Sequence, residues 1–176
     1  MQLYFSPLAC SMASRIALYE ADAPARFIEV DPKTKRTLEG EDFFAINPLG
    51  LVPVIRTDEG ELLTENAAIL QYIAERYPAA GLAPREGMTR YRLQQWLCFT
   101  GTELHKGLFH VLFDRKMPEV GKARALEEGD RRLEYLNTKL TGREFLLDRF
   151  SVADAYLFTV LNWNIATPVE LGGGRR

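Results

Sequence analysis

The chain has 176 residues, 47% of them hydrophobic and 26% charged, with a formal net charge of -2. These are totals of a soluble globular protein with room for one large domain or two small ones. So even a charge balance gives no electrostatic case for nucleic acid or an anionic membrane as partner, and no apolar run approaches the ~20 residues of a membrane span.

The opening MQLYFSPLAC lacks the basic and long apolar regions of a secretion signal and reads as the start of a mature cytosolic protein. Gln2 to Phe5 is expected to form a strand and Ser11 to Ala21 a helix, with Met12, Ile16 and Tyr19 at helical spacing. Between them lies SPLACSMA, which puts Cys10 at a strand-to-helix turn. There the helix dipole and free N–H groups favour a reactive thiolate, expected to titrate below the usual ~8.5. A small buried hydrophobe is the other reading of a free cysteine. Arg26 to Val30 alternates as a strand does, and Asp42 to Ile46 reads as a short helix stopped by Asn47-Pro48-Leu49-Gly50. Val52 to Arg56 and Glu61 to Leu63 flank Asp58-Glu59-Gly60 as a hairpin. Pro53 is either an ordinary edge-strand proline or the second residue of a cis bond that turns the backbone of Val52 outward, free to pair with a peptide. Thr64-Glu65-Asn66 precedes a helix from Asn66 to Arg76, with Ile69, Leu70 and Ile73 inward. That stretch reads as a helix cap, or as a site where free N–H groups take a carboxylate beside Glu65 for an ammonium.

The order so far is βαβ followed by αββα, which implies one parallel strand pair and an antiparallel hairpin. Residues 78–86 break every period and form the linker between a first domain, 1–77, and an all-helical second domain, 87–176. In the second, Leu97, Gly101, Leu104, Leu108 and Leu112 stripe one long helix, and Leu126, Leu133, Leu136 and Leu140 stripe another, weakened by Gly121 and Gly129. Cys98, Thr102, His105 and Phe109 recur at helical spacing on a polar face of the first, as a solvated surface or as one wall of a site. Ser151 and Asp154 form a capping box behind Phe150, launching a helix from Ala155 to Trp163 that carries Tyr156, Phe158 and Val160. Two cysteines without CxxC spacing and two histidines, His105 and His110, make no metal-ligand set, so no metal is expected.

Five stretches in this order resemble the cytosolic glutathione transferases, the bacterial beta class above all: LYFSPLACS, FAINPLGLVPV, LTENAAILQY, WLxFxxxELHKG from Trp96 to Gly107, and FSVADAYLF from Phe150. The resemblance implies a thioredoxin-like α/β domain followed by an all-α domain. It also implies a cytoplasmic homodimer, packed through the faces around Ala68, Tyr72 and Tyr91, that conjugates glutathione to a small hydrophobic electrophile in detoxification. Thiol–disulfide or peroxide reduction through a mixed disulfide at Cys10 is implied as a second activity, and a non-catalytic glutathione-binding or stress-response module is the alternative. By position, glutathione is expected against Cys10, Lys35, Val52, Pro53, Glu65, Asn66, Thr102, Glu103, Leu104, His105 and Lys106, with Cys10 and His105 catalytic. Phe5, where other classes place a tyrosine, has no hydroxyl to offer a thiolate. Asn66 stands where the family more usually has serine or glycine, and the loop Leu146 to Phe150 lacks the family's glycine. Beyond Trp163, where the family continues with helices that complete the second domain, this chain ends in VELGGGRR.

Overall fold

The structure is a computed structural model that describes residues 1–171; Gly172 to Arg176, the end of the C-terminal stretch, lie outside the described residues. A four-stranded sheet of order β2-β1-β3-β4 is built from β1 (Gln2–Phe5), β2 (Arg26–Glu29), β3 (Val54–Arg56) and β4 (Leu62–Leu63). β1 pairs parallel to β2 and antiparallel to β3, the mixed topology that the crossover and hairpin require. Alternation along β1 sends Leu3 and Phe5 to one face and Tyr4 to the other, where Tyr4 meets Phe43, 5.7 Å between ring centroids. Asp42 caps the short turn of Phe43–Ala45 by accepting from the Phe44 N–H.

Against the Leu3 face lie α1 (Ser11–Glu20) and α2 (Asn66–Arg76). The buried side of α1 is Ser11, Ala13, Ser14, Ala17 and Leu18, not the Met12–Ile16–Tyr19 row; Tyr19 is 61% exposed. The reason is close approach: small residues let α2 and the last helix pack on α1 together, which larger side chains would prevent.

The helical half begins with α3 (Gly87–Phe99), which continues through a π-wound segment, Thr100–Phe109, into α4 (His110–Phe113). The wider winding breaks the expected row. Cys98 and Thr102 are exposed and His105 is half-buried, whereas Phe109 is fully buried in the core and belongs to no polar face. α5 (Glu119–Leu140) closes on this segment at Gly129, where a Cβ would come within 2.7 Å of Leu108. Gly129 is therefore a packing requirement as well as a weak helix former.

α6 (Val152–Leu161) ends two residues before the expected Trp163 and passes into a short 3₁₀ turn, Asn162–Ala166. Its start is anchored by Asp154, whose carboxylate accepts from the Ser151 N–H at 2.9 Å, the Ser151 hydroxyl at 2.7 Å and the Leu146 N–H at 2.8 Å. The last bond ties down the glycine-free loop before it. Tyr156 and Val160 are buried, but Phe158 is 59% exposed and is not a core residue. One hydrophobic cluster, from Leu3 through Ile69 and Leu97 to Val160, runs through both halves.

Candidate functional site

A cavity of about 320 Å³ opens between the two halves, with Cys10, Val52, Glu65 and Asn66 on one wall and Cys98, Thr102, His105, Lys106 and Tyr156 on the other. Cys10 is the N-cap of α1, and its Sγ donates to the Val52 carbonyl at 3.3 Å. The Val52–Pro53 bond is cis, and the Val52 N–H has no backbone acceptor among the described residues. Val52 thus lines the cavity with an N–H that has no acceptor among the described residues and a carbonyl held only by a weak S–H donor.

The expectation of an acidic Cys10 is overturned. Burial pushes the thiol up to about 11, outweighing the lowering effects of Lys106 and of the Cys10 and Ser11 amides. A neutral S–H is also what its carbonyl acceptor requires. Cys10 at rest is a hydrogen-bond donor, not a thiolate.

The start of α2 departs from the expected cap as well. Glu65, at φ 65°, makes no side-chain cap, and its carboxylate is exposed. Such a backbone is rare for a residue with a Cβ and is found most often at sites of function. The Asn66 side chain turns inward instead, its Oδ1 accepting from Ser14 Oγ at 2.8 Å and its Nδ2 donating to the Cys10 carbonyl at 3.0 Å. No side chain of Glu65 or Asn66 therefore occupies the first-turn N–H groups, which leaves them to an incoming anion.

On the helical wall, His105 Nδ1 lies 2.8 Å from the Tyr156 hydroxyl, and its ring meets Trp163 edge-on at 4.9 Å. Burial, reinforced by the charges of Lys106 and His110, pushes the imidazole down to about 4, so it is neutral at pH 7. Two expected residues are elsewhere. Leu104 is fully buried in the core, and Glu103 points toward α5, where it accepts from Arg132 Nε at 2.6 Å. Neither lines a cavity with Cys10.

A larger cavity of about 670 Å³ adjoins the first and shares Cys10, Val52, His105 and Lys106 with it. Leu8, Val30, Pro32, Phe113, Trp163 and Ile165 make it mainly apolar. Lys35 sits at its wall and donates to the Gly50 carbonyl at 2.9 Å. Trp163 spans the two halves, its indole N–H donating to the Leu8 carbonyl at 2.7 Å. Phe5 lines neither cavity; its ring lies beneath the Arg15 guanidinium, 4.4 Å away.

In the sequence Tyr156 and Trp163 stand only as apolar residues of the last helix, with nothing that points to the site. Only the long-range fold brings them to His105 and Leu8, and no local spacing signals it. Among the described residues no group of three or more His, Cys, Asp or Glu is placed to hold a metal, and no helix is long and apolar enough to cross a membrane.

Two family models match the chain: "Glutathione S-transferase, N-terminal domain" over residues 9–76 and "Glutathione S-transferase, C-terminal domain" over 96–175. The chain is 42% identical to the glutathione S-transferase GstA of Escherichia coli O157:H7, covering 98% of this chain and 87% of that protein. Among solved structures it resembles a sphingomonad glutathione S-transferase complexed with glutathione, with a TM-score of 0.92 and 44% identity over 97% of this chain and 86% of that one. A bacterial beta-class glutathione S-transferase of Sphingomonas chungbukensis gives a TM-score of 0.91 and 42% identity, with the same coverage of 97% and 86%.

Proposed function

The chain belongs to the glutathione S-transferase family, in its bacterial beta class, and from that premise we propose how it holds and uses its co-substrate. It is a transferase that conjugates glutathione to small electrophiles. The tripeptide lies extended in the smaller cavity, its cysteinyl N–H and C=O pairing with the backbone of Val52 beside Pro53. Its γ-glutamyl carboxylate takes the N–H groups at the start of α2, from Asn66 onward, and its ammonium takes Glu65. Its glycyl carboxylate extends beyond that cavity toward Lys35 at the wall of the larger one, and Thr102 borders the head-group end. The sulfur then lies where the two cavities meet, between Cys10, His105 and Lys106. The observation that carries this reading is that junction: a peptide edge, a helix start without a side-chain cap and an exposed carboxylate line one cavity, and an apolar chamber opens beside it.

In conjugation, glutathione loses its thiol proton to solvent, and the thiolate pair forms the C–S bond to the electrophile. A leaving group departs with its own pair, or the adduct carbon takes a proton from water. Cys10, kept as S–H, and Lys106 favour the anion on the glutathione sulfur. The apolar chamber takes the electrophile. Reduction is a second use of the site. A Cys10 thiolate attacks the glutathione sulfur of a disulfide between glutathione and a substrate thiol, forming the Cys10–glutathione mixed disulfide and expelling the substrate thiolate. A glutathione thiolate then attacks that mixed disulfide, restoring Cys10 and leaving as glutathione disulfide, so the substrate is released reduced and the two glutathiones end joined as the oxidised product. Because burial holds Cys10 protonated, this path should trail conjugation near pH 7. We also assign a cytoplasmic homodimer, its contact formed by Ala68 and Tyr72 of α2 with Tyr91 of α3, which is 65% exposed.

The test is a panel of electrophiles, disulfides and hydroperoxides assayed with glutathione. Turnover of at least one electrophile is expected. Retention on immobilised glutathione without turnover of any would instead favour a binding module.

A further inference from the structure

Among the described residues, four other than glycine have a left-handed backbone: Leu8, Asp22, Lys35 and Glu65. Asp22 lies just past the end of α1, and a short polar residue tolerates that conformation. Lys35 and Glu65 line the cavities at the two ends of the glutathione path. Leu8 has neither excuse. The Ala9 N–H donates to the Ser6 carbonyl at 3.3 Å and closes a turn with Pro7 second and Leu8 third. At φ 57°, Leu8 holds the place that a turn of this form gives to glycine or asparagine. A leucine there is strained by its own Cβ, and such strain gathers at sites of function.

The turn is held from the other half of the molecule. The Leu8 carbonyl accepts from the Trp163 indole at 2.7 Å, a main-chain contact that any residue at this position could make. What only the leucine supplies is its side chain, 62% exposed and on the wall of the larger cavity. One exposed leucine alone is ordinary. Leu51, Phe113 and Ile165, exposed as well, line the same chamber from three other parts of the chain. Apolar groups that gather from distant segments on one concave wall form a contact for an apolar ligand. Cys10, His105 and Lys106 line this chamber too, so it holds both the place of the reacting sulfur and these four side chains.

Resting on the glutathione-binding reading above, we infer that Leu8 is a specificity-determining residue. Its side chain, with those of Leu51, Phe113 and Ile165, takes the apolar tail of the electrophile and favours substrates with an extended tail over small ones. The strained backbone at this position is the cost of presenting a leucine where glycine would fit freely.

S-alkylglutathiones test this without turnover, since each carries the glutathione anchor and a tail of chosen length. By calorimetry, S-hexylglutathione should bind the wild-type protein about tenfold more tightly than S-methylglutathione. Leu8→Gly should cut that ratio about fivefold while leaving the S-methylglutathione affinity within about twofold. Glycine takes this φ freely and keeps the indole bond, so the thermal midpoint of Leu8→Gly should match or exceed that of the wild type. Leu8→Ala, which keeps the strain, should lose the same ratio and melt below Leu8→Gly. A Leu8→Gly protein that keeps the wild-type ratio would overturn the inference. So would one that melts below the wild type, which would make the leucine a structural residue. A wild-type protein that binds S-methylglutathione but gains nothing from the longer tail would overturn it as well, with the glutathione reading intact. If neither compound binds, the glutathione reading itself has failed and the inference falls with it.

Discussion

The two halves contribute to the site in different ways. The α/β half presents mostly backbone: the Val52 peptide and the open start of α2, with the exposed carboxylate of Glu65 beside it. The helical half presents side chains, His105, Lys106, Tyr156 and Trp163, brought together by a π-wound segment and by contacts across the whole chain. Backbone recognition suits a fixed peptide ligand, because a main-chain edge and a helix start carry the same chemistry whatever the side chains. A wall of side chains suits a reacting sulfur and a variable electrophile, whose demands are met by rotamer, tautomer and shape. The difference teaches that the peptide is gripped by main chain of the first half, whereas its sulfur is met by side chains of both halves, Cys10 from the first and His105 and Lys106 from the second. Binding and chemistry should therefore be separable by mutation.

The sharpest separation is expected at Cys10. Cys10→Ala should abolish the mixed disulfide with glutathione, read by mass spectrometry, while conjugation falls without vanishing. An adduct that persists on Cys98, the exposed thiol of the opposite wall, would break the division. Next in size is Asp154→Ala, which orphans the Leu146 and Ser151 N–H groups and should cost about 2–3 kcal/mol in denaturant unfolding. That is a large share of a typical ~5–15 kcal/mol. Glutathione affinity of the folded fraction should hold, because the anchor is in the half that does not grip the peptide.

Glu65→Gln should do the reverse. The lost charge on the ammonium should raise the glutathione KM about tenfold with little change in thermal midpoint. A matching fall in kcat would show that the halves are not separable.

The smallest effects are in the pH dependence. His105 is held at about 4 against an ordinary 6.5, so between these values the unfolded chain binds a proton that the folded one refuses. Stability is therefore complete above about 6.5 and falls as pH drops toward 4. Cys10 has the opposite sign: raised from 9.0 to about 11, it contributes stability below 9.0 that is lost as pH rises through that window. Thermal midpoints across pH should show both limbs, and His105→Gln should flatten the part of the acid limb above about 4.

Legibility in the sequence follows the same division. The strands, the helices and the candidates Cys10, Val52, Pro53 and Glu65 of the first half stand close to where alternation, helical spacing and the five family motifs put them, because the local chain sets their places. In the second half the π winding does not keep the regular helical period that puts Phe109 on a polar face. Glu103 and Leu104 come to the site by the family resemblance alone, although one pairs with Arg132 and the other is core. The Met12 row of α1 misleads for another reason: the packing of three helices selects alanine and serine over the larger residues at the same spacing. The acidity expected of Cys10 rested on the helix start alone, and burial outweighs it.

The account's central claim is that glutathione binds along Val52 with its sulfur at the junction of the two cavities. A crystal structure of the protein with glutathione tests it most directly. The account predicts main-chain pairing to Val52, the γ-glutamyl group between Glu65 and the start of α2, and the sulfur within reach of both Cys10 and His105. Glutathione with no part along Val52 or at the start of α2, or with its sulfur turned away from that junction, would contradict it.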